Sequence, residues 1–167
     1  MHPLLTALRR LLDVCLLRAG PQDLPYSRDF MILTMAGSLG AGLLAVAILE
    51  ETRFALLELV LTYLFTVAFL YAVLSFRGLT GRFIQTASAV FGADAIITLV
   101  ALPALHAASG AGAESPVTGL AMLALGLWNL AVLGHILRHA LDTILPVGVL
   151  VALSYVIGSL LLVGMGG

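Results

Sequence analysis

Residues 143–163 of the chain read TILPVGVLVALSYVIGSLLLV, a run that contains no charged side chain. A helix needs roughly 20 consecutive, mostly apolar residues to cross the hydrocarbon core of a bilayer. Inside that core the backbone amides find no water, so a spanning segment satisfies its hydrogen bonds within a helix. The run is continuous and does not alternate, unlike the strands of a membrane barrel. It therefore predicts a transmembrane helix.

Four further runs are also long and mostly apolar. They cover about residues 31–49, 54–75, 83–105 and 117–137. The connections between the runs are short, and short connections favour neighbouring helices that pack side by side in opposite directions. The sequence thus predicts an all-α membrane protein. Five transmembrane helices form an antiparallel bundle over residues 29–167, and residues 1–28 precede it.

Composition supports this class. Apolar residues make up 61% of the chain, charged residues 10%, and the mean hydropathy is +1.12. A soluble domain carries about a quarter charged residues, so the apolar surface must face the lipid bilayer or a protein partner. The net charge of −1 gives no reason to expect a nucleic-acid partner. With Cys15 as the single cysteine, neither an internal disulfide nor a cysteine metal cluster is expected.

The arginines predict an orientation, because cytoplasmic segments of membrane proteins are enriched in basic residues. If the N-terminus is cytoplasmic, Arg53 alone falls on the far side. The cytoplasmic side then receives Arg9, Arg10, Arg18, Arg28, Arg77, Arg82 and Arg138. Arg9, Arg10, Arg18, Arg77 and Arg82 are interpreted as interfacial basic residues. The C-terminus is then extracytoplasmic.

Residues 1–28 are interpreted as a cytoplasmic amphipathic helix followed by a proline-containing linker. Apolar side chains fill one broad helical face, comprising Leu4, Leu5, Leu8, Leu11, Leu12, Cys15 and Leu16. Thr6, Arg9, Arg10 and Asp13 gather on the opposite face. This pattern is typical of a helix that lies in the membrane interface. The alternative is a helix packed under the bundle by its leucine face.

Asp94 is the most informative side chain, because it falls near the middle of the third span. An ionised carboxylate there costs a few kcal/mol or more, so it needs a partner, a proton or a wet cavity. Thr98 lies one turn onward on the same face and can donate a hydrogen bond. Two hypotheses follow: a site that handles ions or protons, or a hydrogen-bonded carboxyl that fixes helix pairing.

Three other polar residues complete the candidate intramembrane site. Glu58 lies one turn inside the second span, where its carboxylate can reach the interface. Gln85, at the cytoplasmic end of the third span, is expected to form a hydrogen bond to another helix or to the basic loop at residues 77–82. Asn129 lies at a depth comparable to that of Asp94, so the two are candidates for a direct pair.

His135 and His139 are four residues apart at the cytoplasmic end of the fourth span, and Asp142 follows nearby. This spacing can place two ligands on one metal ion. The pair is an incomplete ligand set, however, and a polar rim at the interface is the favoured interpretation. The sequence carries no motif for a catalytic site and none for a cofactor, so the protein is not expected to be an enzyme.

Small residues recur at four-residue spacing in three spans. The first span has the pairs Ala36/Gly40 and Gly37/Ala41, and the fifth has Gly148/Ala152. In the third span the residues are Ser88, Ala89, Gly92 and Ala93. Such faces let helix backbones approach closely in lipid.

The chain resembles the Yip family of five-span membrane proteins, and its small bacterial members in particular. The resemblance rests on the topology, on residues 18–27 (RAGPQDLPYS), and on residues 82–86 (RFIQT) leading to 91–94 (FGAD). It implies an inner-membrane protein of bacteria with no assigned reaction. Eukaryotic relatives engage GTPases through a long cytosolic region, which has no counterpart in residues 1–28.

Two functional hypotheses follow. In the first, a non-enzymatic inner-membrane protein organises or assists partners, or its own copies, through helix–helix contacts on the small-residue faces. In the second, a small transporter or proton-conducting protein uses Asp94, with Asn129 and Glu58 as neighbours. A lipid-modifying enzyme would need a polar cluster that these residues do not supply.

Overall fold

The structure is a computed structural model that describes residues 3–49, 55–109 and 115–164. Within these ranges the chain is helical and contains no strand. The helices are α1 (Pro3–Cys15), α2 (Arg28–Leu49), α3 (Ala55–Phe76), α4 (Phe83–Ser109), α5 (Pro116–Ala140) and α6 (Leu145–Gly164). Two short 3₁₀ turns cover Pro21–Asp23 and Thr80–Arg82.

Of the helices in the described residues, α2 to α6 are long and apolar enough to cross a membrane. The predicted all-α class and the five membrane-length helices are therefore confirmed. The first and last residues of each long helix lie within a few residues of the predicted bounds. Helix α4 continues through Pro103 to Ser109. Arg53 and the rest of residues 50–54, between the first and second predicted spans, lie outside the described residues, as do residues 110–114, between the third and fourth.

The most extensive helix contact joins α2 to α4, which are not neighbours in sequence. Ser38 of α2 lies beside Asp94 of α4, and Leu24, just before α2, lies beside Gln85 near the start of α4. The two helices therefore run in the same direction. Short connections had predicted that consecutive helices would pack most closely, yet α3 makes only sparse contact with α2.

Glycines set the other close contact, between α5 and α6. A Cβ atom placed on Gly148 would overlap the backbone of Gly134, and one placed on Gly134 would lie 2.9 Å from a methyl carbon of Val149. Only hydrogen on these α-carbons lets the two backbones approach so closely. Gly40 of α2, in contrast, has open space where a side chain would be.

The arginine-rich end of the bundle is the end at which α3 and α5 finish and α4 and α6 begin. Buried side chains concentrate in this half of the bundle. They include Leu70 and Leu74 of α3, Thr86–Ala93 of α4, and Val132–Leu137 of α5. Toward the other end the helices are less tightly packed and most side chains are partly or fully exposed.

Helix α1 packs against α4 and α5, and the face that it buries shares only Leu11 and Cys15 with the predicted leucine face. Its buried side chains are Ala7, Leu11, Val14 and Cys15. Five residues of the predicted leucine face are exposed, namely Leu4, Leu5, Leu8, Leu12 and Leu16. Leu11 of this face fits a notch in α4 at Gly92. A Cβ atom placed on Gly92 would lie 2.6 Å from both methyl carbons of Leu11.

The notch at Gly92 gives a direct test of α1 docking. Cys15 lies one helical turn after Leu11 and is buried, and burial raises the pKa of its thiol to about 11. Only the thiolate reacts with maleimides. A Gly92→Leu substitution fills the notch, and we expect Cys15 to react with N-ethylmaleimide at least about tenfold faster, because undocking exposes the thiol and lowers its pKa.

The matched control is Gly40→Leu, which places the same side chain in open space. It should leave the alkylation rate of Cys15 unchanged. An unchanged rate in Gly92→Leu would show that the Leu11–Gly92 contact does not hold α1 in place.

Candidate functional site

A cavity of about 460 Å³ lies between helices α2 to α6. It extends from the level of Asp94 toward the end of the bundle where α2 and α4 finish, since Val46 and Leu105 also line it. The polar residues of its wall are Ser38, Glu58, Thr62, Tyr63, Thr66, Asp94, Thr98, Asn129 and Tyr155. The cavity exists because the tightly packed half of the bundle ends near Asp94, so the helices beyond it enclose space.

The structure places four of the five predicted site residues on this wall. These are Glu58, Asp94, Thr98 and Asn129. They come from three helices. The sequence pattern of a single helix could therefore not show that they line one cavity. The fifth, Gln85, lies at the arginine-rich end and has another role.

The carboxylate of Asp94 is held from one side only. The hydroxyl of Ser38 donates a hydrogen bond to Oδ2 at 2.5 Å, and Ser38 itself is buried. No described residue donates a hydrogen bond to the other oxygen, Oδ1. That oxygen is not fully buried either. Oδ1 therefore faces the cavity. The expected donor was Thr98, but Ser38 takes the place because α2 packs so closely on α4.

Glu58 and Asn129 lie on the same wall without bonding to Asp94. Glu58 forms neither an ion pair nor a hydrogen bond with a described residue, and its side chain is partly exposed. Asn129 is exposed and makes no hydrogen bond to Asp94, so the direct pair expected from their depth is absent. Both polar groups are available to a molecule in the cavity.

Aromatic side chains form part of the wall that the sequence analysis did not single out. The rings of Tyr63 and Phe91 have centroids 4.5 Å apart, and the Tyr63 hydroxyl donates to the carbonyl oxygen of Met35 at 2.7 Å. The hydroxyls of Tyr155 and Thr66 are 2.8 Å apart. A tyrosine in the middle of a span is a usable sequence signal, because its hydroxyl needs a partner there.

A second group of polar side chains binds the N-terminal segment. Trp128 donates to the carbonyl oxygen of Cys15 at 3.0 Å, and the His135 Nε2 donates to that of Ala19 at 3.0 Å. Gln85 donates to the carbonyl oxygens of Leu24 at 2.7 Å and Gln22 at 3.2 Å. Gln85 therefore bonds to the linker and not to the basic loop. These donors satisfy carbonyls that helix α1 and the linker leave unpaired.

The histidine pair is occupied by other contacts. The rings of His135 and His139 meet edge to face with centroids 4.7 Å apart. His135 Nε2 bonds to the linker, and an Arg138 nitrogen lies 3.2 Å from His139 Nε2. Across residues 3–49, 55–109 and 115–164, no group of three or more potential ligand side chains could hold a metal ion. Asp142 thus does not complete a site.

The basic residues divide into two sets. Arg77 donates to the carbonyl oxygen of Leu141 at 3.3 Å, and Arg82 donates to those of His139 and Ala140 at 3.2 Å. Guanidinium groups at these carbonyls also complement the negative end of the α5 dipole. The other set, Arg9, Arg10 and Arg18, is exposed on the N-terminal segment.

Comparisons with protein-family models, with curated proteins and with solved structures give no match to this chain. The resemblance to the Yip family therefore stays a prediction.

Loss of the His135 donor should destabilise the protein. A His135→Phe substitution keeps a ring but leaves the Ala19 carbonyl unpaired in a buried position, which costs about 1–3 kcal/mol. We expect a lower midpoint of thermal unfolding in detergent and faster alkylation of Cys15. The control is His106→Phe on the exposed side chain of α4, which should change neither. Equal midpoints for the two variants would contradict the role given to His135.

Proposed function

We propose that this chain is a non-enzymatic membrane protein that takes a cation, protons included, into the cavity and moves it across the membrane. Asp94 is the residue that binds the cation. The observation that supports this most is the free Oδ1 of a deeply placed carboxylate, directed into a cavity of about 460 Å³. An ionised carboxylate accepts hydrogen bonds at both oxygens, so Oδ1 is a position at which a cation or a proton can bind.

The electrostatics of the cavity favour a cation. Asp94 and Glu58 are the charged side chains on its wall, and no arginine or histidine is among the described lining residues. In a medium of low polarity, a carboxylate without a countercharge is costly, so an entering cation or proton gains more here than in water. An anion would be repelled.

The arrangement in the membrane follows from the arginines. We infer an up-down bundle in which the arginine-rich end faces the cytoplasm of a bacterial cell and the C-terminus is periplasmic. Helix α1 then lies at the inner-membrane interface, with Ala7 and Leu11 against the bundle, Leu5 and Leu12 toward acyl chains, and Arg9 toward the headgroups. The cavity extends toward the periplasmic side in this orientation.

A flux assay tests the proposed function. The protein is reconstituted into liposomes that contain a pH-sensitive dye, and a potassium gradient with valinomycin supplies the membrane potential. A parallel arm measures uptake of radioactive rubidium. We expect flux in at least one arm for the wild type, and flux at the level of protein-free liposomes for Asp94→Asn, because the amide cannot carry the charge.

Two further variants sharpen the assay. Glu58→Gln should reduce flux without abolishing it, since Glu58 lies nearer the end of the cavity. Asp29→Asn changes an exposed carboxylate outside the cavity and should leave flux unchanged. Wild-type liposomes that pass neither protons nor rubidium would remove the proposal.

A second candidate function, organisation of partner proteins or of its own copies, is supported by one outward-facing feature. Ala36 and Gly40 of α2 are exposed, and Gly40 has open space around its α-carbon. Other small residues are used within the chain, as Gly92 is by Leu11 and Gly148 by Gly134. If the free face binds a second helix, Gly40→Leu should abolish co-purification of a stoichiometric partner or homo-oligomer from mild detergent. A wild-type monomer without a partner would count against this function.

A further inference from the structure

We infer that the cavity binds an amphipathic ammonium ion, that is, a molecule with one cationic nitrogen on an apolar body. This inference rests on the proposed function, in that it takes the cavity to be a cation site. It goes further by naming the class of molecule that the walls of the site select.

The size of the cavity is the first argument. Sites that enclose small organic molecules have volumes of roughly 300–1,000 Å³, and this one measures about 460 Å³. An alkali ion or a proton fills a small fraction of that space. Bare metal cations also prefer several oxygen ligands at once, whereas Asp94 and Glu58 are the carboxylates among the described lining residues.

The apolar part of the wall is the second argument. Side chains from all five membrane-length helices contribute to it, including Val46 of α2, Leu59 of α3, Phe91 of α4, Leu133 of α5 and Val163 of α6. A fully hydrated ion gains nothing from such a surface. An apolar body of a ligand gains roughly 25 cal/mol for each Å² that leaves water, so the wall selects a molecule with hydrocarbon to bury.

The third argument is the position of the polar groups relative to that wall. Oδ1 of Asp94 is free to accept a hydrogen bond from an ammonium N–H, and a charge-assisted bond of this kind is stronger than a neutral one. Tyr63 and Phe91 lie in contact on the same wall, and aromatic faces attract a nearby cation. A carboxylate beside aromatic rings and an apolar wall thus matches an ammonium group on an apolar body.

The test uses two probes that differ in charge and hardly in shape. These are 4-phenylbutylammonium and the neutral 4-phenylbutan-1-ol, titrated into the purified full-length protein in detergent by calorimetry, with protein-free micelles as the blank. We expect the ammonium ion to bind at least about tenfold more tightly than the alcohol, the factor that a charge-assisted hydrogen bond supplies.

Variants then assign the difference to Asp94. Asp94→Asn should remove most of the preference for the ammonium ion and leave the affinity for the alcohol nearly unchanged. The matched control Asp29→Asn should keep the full preference. The comparison of the two probes on the wild type needs no variant, so it decides the question even if Asp94→Asn does not fold.

The outcomes separate this inference from the proposed function. Equal affinity for both probes, or no binding of either, overturns the inference. If proton or rubidium flux persists in that case, the proposed function stands without it. The protein could also bind the ammonium ion more tightly than the alcohol, through Asp94, and yet pass no cation. That result would support the proposed class of ligand and contradict the proposed transport function.

Discussion

A polar group inside an apolar bundle needs a partner, and this requirement organises most of the structure. The N-terminal segment ends one helix and turns through a linker, so it brings several unpaired carbonyl groups against the bundle. Trp128, His135 and Gln85 donate to four of them. Arg77 and Arg82 satisfy the carbonyls at the end of α5 in the same way. These five side chains therefore attach the N-terminal segment and close the arginine-rich end.

This attachment explains why the two halves of the bundle differ. At the arginine-rich end, α1 and the linker pack against α4 and α5, and Leu11 occupies the notch at Gly92. The other end has no such segment among the described residues, and there the helices enclose the cavity. Asp94 lies where one half passes into the other, which is why one of its oxygens is bound by Ser38 and the other is free.

The sequence was sufficient for the class of protein and for the five long helices, because continuous apolar runs such as residues 143–163 have no other stable form in a bilayer. It also singled out Asp94, Glu58, Thr98 and Asn129, since each is polar within an apolar run. It did not supply their partners. Which hydroxyl reaches Asp94 depends on the packing of α2 on α4, and residues 56 positions apart in sequence carry no local signal of that contact.

For α1 the sequence left two placements open, in the membrane interface or under the bundle by the leucine face, and the exposed leucines go against the second. A helical wheel ranks faces by hydrophobicity, and leucines dominate one side of residues 4–16. The structure buries Ala7 and Val14 together with Leu11, whose methyl carbons occupy the space that the missing side chain of Gly92 leaves. Exposed leucines are no penalty for a helix that meets lipid. In a membrane protein, then, hydrophobicity alone does not separate a protein-facing surface from a lipid-facing one.

The central claim is that Asp94 faces a cavity that a cation can enter. Cysteine accessibility measures this most directly: Asp94→Cys is placed in a Cys15→Ala background and treated with a cationic and an anionic methanethiosulfonate reagent. Ala87→Cys, at a fully buried position of α4, serves as the unreactive reference. We expect the cysteine at position 94 to react, and to react faster with the cationic reagent because Glu58 lies on the same wall. A cysteine at position 94 as unreactive as the one at position 87 would contradict it.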